Sequence, residues 1–181
     1  MKSPLRMFLA LALIPILFAV LHIAESSGLL DGKLRPAPDF SAENLIDPNV
    51  PVRLSEFTGR PVVLSFWASW CGACKKEFPV YERLAAETAA TSGRVVTIAT
   101  GDTGDAARAL AASRSQAMTF ALDATDDIAR IYGVSGLPHT ILVNPDGTIA
   151  ARYARIMREE DLPMLVAHLK LAPLSVKDAT N

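Results

Sequence analysis

Cysteine is almost absent from this chain: two occur in 181 residues, which excludes the disulfide-stapled scaffolds of small secreted proteins. Histidine is nearly as scarce, at three residues. A closed zinc site wants four ligands, and one of the candidates, His22, falls in an apolar N-terminal stretch, so a purely structural metal site is disfavoured. Charge of one sign never accumulates. The net charge is −1, and basic pairs such as Lys75-Lys76 stand among acids and read as a solvated helix face, so nucleic acid is not a partner. There is no internal repeat and no low-complexity segment. The 50% hydrophobic content suffices for one well-packed domain with an appendage, and the length is too short for two ordinary domains.

Long apolar runs are missing too, with one exception. Residues 7–23 are apolar throughout except for His22, and Lys2 and Arg6 precede them. This is the pattern of an export segment, with a length between a signal-peptide core of about 7–15 residues and a full span of roughly 20. Ala24-Glu25-Ser26 is a poor cleavage site, and no cysteine follows to take a lipid. The expectation is therefore a signal-anchor over residues 1–24, single-pass in the inner membrane, with the remainder facing the periplasm or another extracytoplasmic space. A cleaved signal is the alternative. Pro15 and the lack of a polar face argue against a buried helix of a soluble domain. Residues 25–35, small and polar with Gly28 and Gly32, read as a tether. A folded domain over 36–171 and a tail over 172–181 complete the division.

The two cysteines form Cys71-Gly72-Ala73-Cys74. An apolar, β-branched run at 62–66 precedes them and a helical composition at 80–87 follows. That puts Cys71 on the first turn of a helix, where unpaired N–H groups and the helix dipole favour a thiolate. A bridge closing two residues removes little entropy from the unfolded chain and staples almost nothing. The spacing in this setting therefore points to redox use.

The rest reads as alternating elements. Short strands are expected at 40–45 and 52–54, with Ser55 capping a brief turn. A strand at 95–99 precedes a helix at 105–114, for which Asp102 or Thr103 is a candidate cap. A weak strand at 120–122, a short helix at 126–132, a hairpin of 140–143 and 148–153 around Asn144-Pro145-Asp146-Gly147, and a last helix at 159–169 follow. The fold class is an α/β sandwich.

Trp70-Cys71-Gly72-Ala73-Cys74 after an apolar strand, with Gly136-Leu137-Pro138 ahead of another, resembles the thioredoxin superfamily. The Pro36-Ala37-Pro38-Asp39-Phe40 opening and Cys74-Lys75-Lys76-Glu77-Phe78-Pro79 are similar to its membrane-anchored TlpA/ResA/CcmG(DsbE)-type branch. The resemblance spans residues 36–169. It implies a three-layer sandwich with a central mixed sheet and helices on both faces, and thiol:disulfide exchange without a cofactor. It implies Cys71 as exposed nucleophile, Cys74 as the more buried resolving thiol, and Pro138 as a cis-proline that sets the Leu137 backbone beside the cysteines, with Trp70 flanking the client groove.

The chain also departs from thioredoxin. The buried aspartate six residues before the first cysteine is Ser65 here. Glu77, three residues after Cys74, falls on the same helical face and is the candidate proton-transfer group, with a plain surface glutamate as the alternative. Ala73 stands where thioredoxin has proline and adds a backbone N–H near the Cys71 sulfur, predicting a disulfide easier to reduce. His139 either lines the groove or completes a Cys71–Cys74–His139 copper(I) set, and a copper metallochaperone is the rival reading. His168 and Met157 carry no site role. The main expectation is a reductase of selected clients, namely apocytochrome c or an oxidase copper-site assembly protein, recharged by a DsbD/CcdA-type transmembrane reductant. A net oxidase or isomerase differs only in poise and partner.

Overall fold

The computed structural model describes residues 34–172. The expected anchor at 1–24, the tether as far as residue 33 and the tail beyond residue 172 lie outside the described residues. Among the described residues no helix is long and apolar enough to cross a membrane.

The strand before the cysteines, β3 (Val62–Trp67), is buried at all six positions. A strand covered on both faces does not alternate apolar and polar residues, which is why Val62-Val63-Leu64 and Phe66-Trp67 read as an apolar run interrupted only by the buried Ser65. Ahead of it are β1 (Ser41–Asn44) and β2 (Val52–Arg53). After it come β4 (Arg94–Thr100), β5 (Thr119–Asp123), β6 (His139–Val143) and β7 (Ile149–Tyr153). The sheet has the order β2-β1-β5-β4-β3-β6-β7. It is mixed: β3, β4 and β5 are parallel, while β6, β7 and β1 join antiparallel.

Side-chain alternation divides the interior into two cores. Val63 and Trp67 face one side, where α2 (Phe78–Glu87), α3 (Gly104–Ala112) and α5 (Leu162–Leu169) supply Tyr81, Leu84, Ala107 and Leu165. Leu64 and Phe66 face the other, with Phe40, Tyr132 and α4 (Asp127–Ile131). Aromatic pairs tie each layer to the sheet: Trp67 with Phe78 edge-on at 5.2 Å, and Phe66 with Tyr132 tilted at 5.8 Å. The thioredoxin-like sandwich with helices on both faces is therefore the observed architecture.

Four local expectations change. Leu54 opens a 3-10 turn, Leu54–Phe57, instead of ending β2, and Ser55 caps nothing. The Asp39 carboxylate fills that role by accepting the Phe40 and Ser55 N–H groups, each at 2.9 Å. The helix expected to run on from the cysteines is broken into α1 (Gly72–Lys75) and α2. Lys76 and Glu77 donate back three residues to Ala73 and Cys74, and Pro79 has no N–H to offer the Lys75 carbonyl, so the ladder cannot continue. Neither Asp102 nor Thr103 makes a side-chain cap on α3. Asp126, expected as the first residue of a helix, sits in the left-handed region at φ 59° and precedes α4; its carboxylate accepts from the Thr100 hydroxyl at 2.7 Å.

Candidate active site

The active site is built where β3 ends. Cys71 is the N-cap of α1, with φ −79° and ψ 101°, and its sulfur accepts the Cys74 N–H at 3.1 Å. The sulfur is thus held by one of the free N–H groups at a helix start, a placement that favours negative charge when the thiol ionises. The donor is Cys74, not Ala73 as the sequence suggested. Cys71 and Cys74 are joined as a disulfide with Cα atoms 5.3 Å apart. In this oxidised form both are buried, Cys71 at 6% and Cys74 at 2% exposure. Cys71 is the more accessible of the two, though not openly exposed as the resemblance implied.

Trp70, 67% exposed, stands beside them. Its indole N–H donates to the Gly101 carbonyl at 2.7 Å. Asp102 accepts both the backbone N–H and, at 2.8 Å, the hydroxyl of Ser69. The loop after β4 therefore pins the loop that carries Trp70 and Cys71. Sequence reasoning took Asp102 for a helix cap, and no local signal shows a partner 33 residues away. Asp102→Ala should cost about 1 kcal/mol of stability, since a half-buried charge-assisted pair is lost. Urea denaturation measures this, and the Trp70 fluorescence of the native protein should change with it; an unaltered spectrum would mean the tie does not hold the loop.

A groove of about 550 Å³ opens next to Trp70, walled by Val134 and Leu137 and rimmed by Asp126 and Arg130, with Gly101 and Gly136 leaving backbone within reach. The Leu137–Pro138 peptide is cis. His139, the first residue of β6, lies opposite Phe66 of β3. It shares the face of Ile141 and Val143, which pack in the core with Phe66, whereas Leu142 packs in the core that contains Cys71 and Cys74. His139 thus turns away from the cysteines, and the Cys71–Cys74–His139 copper set of the rival reading is not assembled. Burial first, and then the Arg152 charge, hold its imidazole below the usual histidine range.

Glu77 is buried at 1% exposure, which removes the surface alternative. It lies at the break between α1 and α2, with its N–H on the Cys74 carbonyl at 3.1 Å. Oε1 accepts the N–H of Met157, 80 residues on, and Oε2 has no hydrogen-bond partner among the described residues. Burial pushes its carboxyl up to about 7, against the smaller downward pulls of the Met157 N–H and Arg155; Asp161 adds a slight rise. A carboxyl poised there can hold or release a proton at physiological pH. Met157, read from sequence as a loop residue without a site role, supplies the hydrogen bond to this carboxylate. Ser65 is buried and pairs across the strands with Thr140, whose hydroxyl meets the Tyr81 hydroxyl at 2.7 Å. Where thioredoxin places a carboxylate, this chain has neutral hydroxyls, and Tyr81 is raised above its ordinary range by burial and the Glu77 charge. His168 is structural, with Nε2 at 3.0 Å from the Val143 carbonyl.

A cysteine pair at a strand-to-helix junction, a cis-proline beside a groove and a mixed sheet between helices define a thioredoxin-like thiol:disulfide oxidoreductase. The family model for the AhpC/TSA family matches residues 34–152, and the chain belongs to that family. It is 28% identical to the thiol-disulfide oxidoreductase ResA of Bacillus subtilis, over 88% of this chain and 90% of that one. It is 32% identical to the thiol:disulfide interchange protein DsbE of Allochromatium vinosum, over 91% and 92% of the two chains. Among solved structures, one of a putative DsbE from Chlorobium tepidum superposes with a TM-score of 0.67 at 31% identity, over 75% of this chain and 94% of that one.

Proposed function

We propose that this enzyme is a membrane-tethered, periplasm-facing reductase of selected protein disulfides, with Cys71 as nucleophile, Cys74 as resolving thiol and Glu77 as the proton acceptor for Cys74. The burial of Glu77 at the turn that carries Cys74 is the observation on which this reading rests. The reduced enzyme begins with a Cys71 thiolate and a Cys74 thiol. The thiolate attacks one sulfur of the client disulfide, the client S–S bond breaks, and the second client sulfur leaves as a thiolate that takes a proton from water. Cys74 then gives its proton to the Glu77 carboxylate and attacks the Cys71 sulfur. The mixed disulfide breaks, the Cys71–Cys74 bond forms, and the client leaves reduced by two electrons. Leu137 and Trp70 flank the path to Cys71, and the backbone before Pro138 is placed for strand-like pairing with an extended client.

In this reading residues 7–23 supply the anchor and residues 25–35 the tether. A single span carries no electrons, so recharging calls for a transmembrane thiol donor of the DsbD/CcdA kind. The clients in this reading are the haem-binding cysteines of apocytochrome c or those of an oxidase copper-site assembly factor. Trapping thiols in intact cells with a membrane-impermeant alkylating reagent tests direction and topology together. Cys71 and Cys74 should be found reduced and labelled, and should become oxidised when the transmembrane donor is deleted. A pair that stays oxidised in both strains would mark a net oxidase instead.

A further inference from the structure

Segment 154–158 leaves β7 and crosses over Glu77 before the turn Glu159–Asp161 leads into α5. It is fastened at several points. The Arg155 guanidinium grips the Asp161 carboxylate with two bonds, at 2.8 and 2.6 Å. The same carboxylate accepts the Arg158 N–H at 2.9 Å, and Arg155 also donates to the Ile156 carbonyl at 3.1 Å while lying over the Tyr153 ring at 5.4 Å. Between these ties the Met157 side chain is sunk to 1% exposure, and its backbone N–H points at Glu77 Oε1. The ties at Arg155 and Arg158 therefore hold the chain on both sides of this donor.

We infer that Arg155 and Asp161 form a clamp that positions the Met157 N–H on Glu77, and that the clamp thereby sets the pH at which Cys74 can be deprotonated during exchange. They are positioning residues, since neither touches a cysteine. This inference rests on the reading of Glu77 as the proton acceptor for Cys74.

The groups facing Glu77 can be named. Arg155, Asp161 and the Met157 N–H come from the segment and the turn after it, and Tyr81 comes from one turn along α2. On the sheet beneath, Thr140 and Ser65 are neutral hydroxyls engaged with Tyr81. Arg83, further along α2, is paired with Glu87 and Glu159.

Two variants separate a clamp from a mere sum of charges. Arg155→Met removes a cation and Asp161→Asn removes an anion, so through charge alone they would move Glu77 in opposite directions. A clamp predicts the same direction for both, because either one frees the Met157 N–H from the carboxylate. Each should raise the Glu77 midpoint by about one pH unit, a tenfold change in its ionisation at fixed pH, read by carbon-13 NMR of the carboxyl in the full chain. In a Cys71→Ser background, the pH midpoint for alkylation of Cys74 should shift with it, and the shift should vanish once Glu77→Gln is added. Opposite shifts, or none, would overturn the clamp. If Glu77 titrates higher in both variants while Cys74 alkylation is unmoved, the clamp stands as a device that positions Glu77 and the proton-acceptor reading of Glu77 fails.

Discussion

A Cys74→Ser chain mixed with a disulfide client is expected to stop at the mixed disulfide, with the client bound through Cys71 and released by dithiothreitol. Cys71→Ser should form no such adduct and should lose at least about 10³-fold in turnover, as when an acting nucleophile is removed. The geometry gives the reason for the asymmetry. Cys71 caps α1 with its sulfur on the Cys74 N–H and lies beside the exposed Trp70. Cys74 is inside α1, at 2% exposure, where a second protein cannot reach its sulfur before Cys71. Mass spectrometry of the adduct gives the site of attachment. An adduct that forms only on Cys74, in the Cys71→Ser chain, would reverse the two roles.

The second large effect concerns Glu77. Its carboxyl stands at about 7 in the folded protein against 4.5 for an ordinary glutamate. Between those values the folded chain keeps a proton that the unfolded chain has released. The contribution of this residue to stability is therefore fully present below about pH 4.5 and falls as pH rises to about 7, by roughly 3 kcal/mol. Glu77→Gln has no charge to bury. Its stability should be flat across this window so far as residue 77 is concerned, and above pH 8 the variant should exceed the parent by about 2 kcal/mol, the remainder being set against an imperfectly paired amide. Denaturant titrations of the oxidised proteins at pH 5 and pH 8 measure the difference. The same substitution should slow the Cys74 step by about 10²-fold, the usual size of a lost acid–base group. Under the proposed function, a buried glutamate thus trades stability for proton transfer. If the variant shows the same slope of stability with pH as the parent, another group holds the proton.

The sequence carried the sheet's central strand and the location of the chemistry because both are written locally. Six buried positions in a row leave a stretch at 62–67 that is apolar everywhere but Ser65, and a cysteine spacing between a strand and a helix names its own position. Contacts across the fold were another matter. Asp102 looks like any acidic residue before a helix until Ser69 is brought to it from 33 positions away, and Met157 joins Glu77 only across 80. Glu77 itself could not be told from a surface residue, since spacing places a side chain on a helical face and does not say what covers that face. His139 failed for a related reason. Adjacency to Pro138 suggested nearness to the cysteines, but in a strand each residue takes the face opposite to its neighbour, and the register put His139 with Phe66.

The break at Lys76 and Glu77 has a mechanical meaning. Were residues 72–87 one rod, any change in the spacing of the two sulfurs would have to bend or shift a helix packed along its length against Trp67, Leu84 and their neighbours. Because the ladder is interrupted ahead of Pro79, the cysteines ride on a four-residue turn, Gly72–Lys75, which can adjust while α2 stays seated in the core. Glu77 lies at the joint between that turn and the helix, so under the proposed function the proton acceptor stands where the two helical pieces meet.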